Sequence, residues 1–224
     1  MSKLQYEDIQ KSEEVNAYLA QGNEMLGVLG YTDHSAKHAQ IVADTADTAG
    51  KILKELGAPK RKIELAQIAG YMHDIGNCVN RTDHAHNGEI LARSILKDMG
   101  MEVREIAAVM NAIGSHDEKT GCATDPISAA LIIADKTDVR RNRVRNKSKA
   151  SFDKHDRVNY AVTASKLRII PEKSTILFEI CLDESICALI DYFEIFMQRM
   201  MMCRRAAEVL GMKFKMTANG KKVC

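Results

Sequence analysis

Apolar residues recur at helical intervals through most of the chain's first 140 positions. Residues 12–29 place Val15, Tyr18, Leu19, Leu26 and Leu29 on one face, and Gly30 closes the run. Thr32 is a fitting N-cap for a long helix from about 33 to 56, whose apolar positions are Ile41, Val42, Ala46, Ala49, Ile52, Leu53 and Leu56. Gly57 and Pro59 end it, and Pro59 suits the first turn of the next helix, 60–74. That helix is apolar on most sides after Glu64, which predicts burial, and it ends in His73 and Asp74. Further helices are predicted at about 84–99, stopped by Gly100, and at 102–114, stopped by Gly114. Asp125 followed by Pro126 is a strong start signal for one more, running to about 140.

Beyond residue 140 the texture changes. RRNRVRNKSK (140–149) is basic and polar. From about 165 the period drops to two: Leu167 and Ile169 alternate, Pro171-Glu172-Lys173 punctuates, and Ile176, Phe178, Ile180 and Leu182 alternate again. This is a β-hairpin pattern. A final helix starts near Asp183 and keeps its spacing through Ile186, Leu189, Ile190, Phe193, Met197, Met200, Met201 and Arg204 to Gly211. The tail MTANGKKVC reads as frayed. The expected architecture is mainly α. A helical domain occupies residues 1–150, its bundle about 12–150, and 151–224 supply a small hairpin and a long C-terminal helix packed on the same domain.

Composition narrows the function classes. Of 224 residues 46% are hydrophobic, enough for a sizeable core. Only three prolines and thirteen glycines interrupt, which favours long helices. A net charge of +2 argues against general nucleic-acid binding. No apolar run is long enough for a membrane span, and the polar, acidic start MSKLQYEDIQ does not read as a signal peptide. The cysteines (Cys78, Cys122, Cys181, Cys187, Cys203, Cys224) form no C-x-x-C pair and are expected to be reduced thiols of a cytoplasmic protein.

The candidate chemistry lies in His38, His73-Asp74, His84, His116 and Asp135. Imidazoles combined with carboxylates select borderline metals: iron, manganese, cobalt, nickel or zinc. Adjacent His73 and Asp74 stand about 100° apart on a helix, so both reach one ion only at the helix edge, in a bundle-core site completed by other helices. A lone histidine on an apolar helix is more often a satisfied core residue than a ligand. Asp135 is harder to dismiss. The apolar run ALIIA precedes it, and a carboxylate in dry surroundings is costly without a cation or hydrogen bonds. Asp74, at the end of a buried helix, poses the same question.

Five stretches together resemble the HD superfamily of phosphohydrolases in its HDIG form: HSAKHAQIVADTA (34–46), YMHDIGN (71–77), HAHNGEILARSIL (84–96), AIGSHDE (112–118) and AALIIADKTD (129–138). The resemblance covers about residues 30–140. It implies a first metal on His38, His73, Asp74 and Asp135, and a second on His84 and His116 with Asp74 bridging. His86 is the rival to His84. The implied cofactor is one or two divalent ions, with magnesium added to the metals above. The cyclic-dinucleotide branch of that superfamily is not matched: there is no GYP motif, Asn77 replaces a lysine, and Asp117 stands where a second histidine is expected.

The implied activity is hydrolysis of a phosphate mono- or diester of a nucleotide or similar small phosphorylated substrate. Asp74 would be its central catalytic ligand. His34, one turn before His38, resembles the proton donor of the distantly related cyclic-nucleotide phosphodiesterases. Lys136, Arg140 and Arg143 share a face if the helix continues, and arginines bind phosphate in a forked geometry. The basic run carries no aromatic residue for base stacking, and Phe152 is the nearest. The methionine stripe of the last helix suits core packing or a homodimer contact. A metal- or nucleotide-binding regulator without turnover is the alternative reading.

Overall fold

The computed structural model describes residues 3–29, 38–141, 144 and 152–224, without the side chains of His38 and Ala39. Among these are α1 (Tyr6–Gln10), α2 (Glu13–Val28), α3 (His38–Glu55), α4 (Lys60–Met72), α5 (His84–Asp98), α6 (Val103–Gly114), α7 (Pro126–Lys136), α8 (Lys154–Ala161) and α9 (Leu189–Val209). Four strands follow the same order: β1 (Val162–Ile170), β2 (Thr175–Leu182), β3 (Lys213–Ala218) and β4 (Lys221–Lys222).

The centre is α4, packed between α3, α6 and α7. It buries Leu65, Ala66, Ile68, Ala69, Tyr71 and Met72, as its nearly continuous apolar run requires. Gly70 lets α3 come close, since a Cβ there would lie 2.7 Å from the Ala46 Cα. The second central helix, α7, is buried from Ile127 to Ala134. Its N-cap Asp125 accepts from the Ile127 and Ser128 amides, while the Ser128 hydroxyl returns to the Asp125 amide.

Helix α7 stops at Lys136, four residues short of the expected end. Thr137 takes over as cap, its hydroxyl donating to the Ile133 carbonyl at 2.7 Å. Lys136 and Arg140 therefore do not share a helical face. Helix α4 likewise ends at Met72, and the chain tightens into a 3-10 turn at Ile75–Cys78. The predicted cap Thr32 and the start of the second long helix lie outside the described residues.

The hairpin of β1 and β2 is antiparallel, with Leu167 opposite Phe178 and Ile169 opposite Ile176. The tail, expected to be frayed, is ordered. Strand β3 pairs parallel with β2, setting Phe214 beside Ile176 and Met216 beside Phe178, and β4 folds back on β3. Phe214, Met216 and Ala218 are buried while Lys213 and Lys215 point to solvent. Asn219 fixes the end of the strand: its side chain accepts from the Leu182 amide at 2.7 Å and donates to the Leu182 carbonyl at 3.0 Å. The short helices α1 and α8 were also unforeseen. The final helix begins at Leu189 rather than near 183. It packs on α7 and β3, and one hydrophobic core runs from Tyr6 to Ala218.

Candidate metal centre

Where α4 ends, His73 keeps helical angles and Asp74 departs from them (φ −94°, ψ 4°), so the two side chains diverge toward one focus. The 3-10 turn that follows is pressed against the first turn of α5. A Cβ on Gly76 would lie 2.0 Å from the His84 carbonyl oxygen and 2.5 Å from the Gly88 nitrogen. Only glycine permits that approach, which carries His84 to within 3.6 Å of Asp74 (Nε2 to Oδ1). His116 arrives from the end of α6 and Asp135 from the last turn of α7.

The imidazoles all face inward by Nε2. His73 Nδ1–H donates to the Gly70 carbonyl at 2.7 Å, and His116 Nδ1–H to the Ile113 carbonyl at 2.5 Å. A carbonyl can only accept, so each Nδ1 carries the proton and each Nε2 of a neutral ring presents a lone pair. His84 Nε2 and His116 Nε2 stand 3.1 Å apart. Without a metal, His84 Nε2–H can donate to the His116 Nε2 lone pair; with its proton on Nδ1, toward Asp117, His84 turns a second lone pair to the same point. Ligands about 2.1 Å from one ion and at right angles around it lie roughly 3 Å apart, so the spacing fits a shared cation.

Asp74 joins two half-sites. Its Oδ1 lies 3.6 Å from His84 Nε2 and 4.0 Å from His116 Nε2, and its Oδ2 lies 3.5 Å from His73 Nε2. His73 Nε2 is 3.8 Å from Asp135 Oδ1. The metal-competent groups are thus His73, His116 and Asp135 on one side and Asp74, His84 and His116 on the other. The three imidazoles are sealed, whereas the Asp74 side chain keeps 22% exposure and that of Asp135 15%, so the carboxylates form the open side.

Charge favours a cation here. Burial opposes ionisation of Asp74, but His73, His84, Arg81 and His116 outweigh it and hold the carboxyl well below its usual range. Asp135 is likewise held far down against its burial, chiefly by Lys136 and then by His73 and His116. Burial drives His84 below its ordinary value and His116 to about 3. At neutral pH the site offers two carboxylates and the neutral rings of His84 and His116 beside His73, a donor set that fits a divalent transition metal.

Supporting groups surround the donors. Asn77 donates to Asp74 Oδ1 at 2.9 Å and to the Asp74 carbonyl at 3.0 Å, and Arg81 donates to Asn77 Oδ1 at 3.2 Å. Asp117 Oδ2 stands 3.7 Å from His84 Nδ1, the position from which a carboxylate orients a ligating ring. Lys136, only 7% exposed, sets its ammonium 2.6 Å from Asp135 Oδ2 and 4.0 Å from Glu118. The Asp135 contact is charge against charge, because Oδ2 has no well-directed hydrogen bond. Glu118 in turn accepts from Arg199 of α9 at 2.5 Å, which ties the C-terminal helix to the site.

A model of the HD domain matches residues 31–143. The chain belongs to the HD-domain family. HD-domain proteins of this superfamily are metal-dependent phosphohydrolases, and the His/Asp cluster stands within the matched span. An uncharacterized protein of Methanocaldococcus jannaschii, MJ1020, is 34% identical over 163 residues, 64% of this chain and 62% of the relative. Ribonuclease Y of Oceanobacillus iheyensis is 31% identical over 126 residues, 55% of this chain but 22% of that protein. Ribonuclease Y of Enterococcus faecalis is 28% identical over 133 residues, 58% of this chain and 24% of that protein. The chain thus spans less than two thirds of each of these relatives. A crystal structure of a predicted HD superfamily hydrolase from an uncultured Thermotogales bacterium aligns with 60% of this chain and 73% of its own, at 23% identity and a TM-score of 0.43.

Of the HD residues expected from sequence, the structure brings His73, Asp74, His84, His116 and Asp135 together. His86 is exposed two residues away from the buried His84. His34, Arg143 and the side chain of His38 lie outside what is described. Lys136 is at the cluster. Arg140 faces elsewhere: it pairs with Asp44 at 2.9 Å and Asp138 at 2.5 Å on the wall of a separate polar cavity of about 280 Å³, which Thr48, Ser165 and Leu167 also line. Asn77, Arg81 and Glu118 were not assigned roles from sequence. Only the i+3 spacing of Asn77 from Asp74 was there to suggest one.

Proposed function

We propose that this HD-domain protein hydrolyses a phosphate mono- or diester of a nucleotide or similar small phosphorylated substrate, using one or two divalent ions. The observation that carries the reading is the focus of three buried Nε2 atoms on two ionised carboxylates, with His84 and His116 nitrogens 3.1 Å apart. Among its relatives are proteins named ribonuclease Y, and the substrate of a ribonuclease is a phosphodiester of nucleotides.

When bound, the ions supply a water acidified toward a pKa of ~7 and neutralise charge on the phosphate. His73, Asp135 and Asp74, with His38, would hold the first ion; Asp74, His84 and His116 the second. Asn77 holds the Asp74 carboxylate in place by its hydrogen bond, and Asp117 stands where it would orient the His84 ring. His34 is the residue we assign to protonating the leaving oxygen. Among the described residues Lys136 is the cation nearest the cluster for the substrate phosphate. Arg140 contributes only if it leaves Asp44 and Asp138, and Arg143 belongs to the same basic segment.

The test is turnover of an aryl phosphate ester and a panel of nucleotides with Mn²⁺. Wild type is expected to release product, and His73→Ala with Asp74→Ala to lose at least about a hundredfold, since loss of an outer-shell partner of a metal ligand alone costs up to that much. Nucleotide binding without turnover under any divalent ion would sink the hydrolase reading and favour a regulator.

A further inference from the structure

The register of the sheet gathers lysines that the linear sequence disperses. On its outward face β1 presents Lys166 and Arg168, β3 presents Lys213 and Lys215, and Lys222 of β4 stands opposite Thr217. All five cations are exposed. Between the two basic strands, β2 turns out Leu177 and Glu179; its alternate residues Ile176, Phe178 and Ile180 are in the core. Glu179 is already engaged by Arg168, whose Nε is 2.6 Å from Oε2. Among the described residues Lys166, Lys213, Lys215 and Lys222 form no ion pair, leaving four uncompensated charges on one face.

Solvent-facing sheet surfaces ordinarily mix both signs. Here the charges form two rails. Same-face residues two apart along a strand are about 6.6 Å apart, and β1 and β3, separated by one strand, are about 9.6 Å apart. We propose that this outward sheet face is a docking surface for single-stranded nucleic acid, laid along β2 with its phosphates between the rails. A repeating polyanion matches paired rows of cations along its length. A duplex does not fit as well: four strands span roughly 14 Å before side chains are added, more than the ~12 Å major groove. A membrane-binding face would add large apolar anchors beside its cations, and here half-buried Leu177 lies between the rails. No aromatic side chain faces outward from these strands, so binding is to the backbone, tolerant of sequence and sensitive to salt. The overall charge of +2 conceals this patch because it averages over the whole chain.

Fluorescence anisotropy of a labelled single-stranded RNA, with EDTA present, separates docking from hydrolysis. Wild type is expected to bind at low salt, with log K falling against log salt at a slope of about −3 for four phosphates. Replacing Lys166, Lys213, Lys215 and Lys222 by Gln is expected to weaken binding at least about tenfold and flatten the slope, with unchanged circular dichroism; Arg at the same four positions restores it. Absence of wild-type binding at low salt, equal binding by the Gln variant, or binding of anionic vesicles in place of RNA would each overturn the proposal. RNA binding by a protein that hydrolyses no phosphate ester would leave the docking surface standing while removing the proposed function.

Discussion

Three nitrogens and two carboxylates are useful to a metal only if each is held at its angle, and the residues that hold them are small, polar and close by. Carbonyls of Gly70 and Ile113 fix the tautomers of His73 and His116. Asp117 faces the far nitrogen of His84. Asp117→Asn keeps the shape and removes the charge, so metal affinity is expected to fall about 10- to 100-fold, measured by competition with a chelating dye. An unchanged affinity would make Asp117 a bystander. Protonation supplies a second residue-scale test. In the metal-free protein burial lowers His84, and His116 from 6.5 to about 3. The unfolded chain therefore binds protons that the folded one refuses. Stability from this source is complete above pH 6.5 and is lost as pH falls from there toward 3. Urea midpoints of the metal-free protein are expected to be flat above neutrality and to drop on acidification, less steeply in His116→Gln. Most of these donors were legible in the sequence because histidines and aspartates interrupting apolar runs need a reason. The polar groups around them were not, since Asn77, Arg81 and Glu118 look like ordinary polar residues until the chain closes on them.

At the scale of elements, the helices were legible where an apolar stripe met a strong boundary. Pro59, Gly100 and the Asp125-Pro126 pair mark α4, α5 and α7 to within a few residues. Helix ends were read long where the stop is tertiary: α7 yields to a Thr137 cap rather than to a glycine, so the face shared by Lys136 and Arg140 does not exist. The tail failed for a related reason. Six residues alternating Lys-Phe-Lys-Met carry a strand signal too short to outweigh a charged end, and β3 is a strand because β2 offers it a partner edge. Deleting residues 212–224 uncovers that edge and strips the cover from Phe178. Thermal unfolding of the truncated chain is expected several degrees lower, with a loss of solubility, since an open apolar edge strand invites pairing with another chain. Unchanged melting would mean that β3 adds nothing to the core.

The whole molecule sets a metal-binding helical bundle beside a mixed sheet with a basic outer face, joined where Arg199 of α9 grips Glu118 next to His116 and Asp117. Among the described residues no helix is long and apolar enough to cross a membrane, and all six cysteines are free. The sheet face could not be read from the sequence, because charge on a surface depends on register. The metal cluster could be read in part, because its ligands recur in a fixed order. The expectation at neutral pH is a cluster that holds transition metal. Its most direct test is the metal content of freshly purified protein by mass spectrometry, wild type beside Asp74→Ala. One or two ions per chain in wild type, lost when the Asp74 carboxylate is removed, is the expected result. No bound transition metal in wild type, and none taken up when divalent ions are supplied, would contradict it.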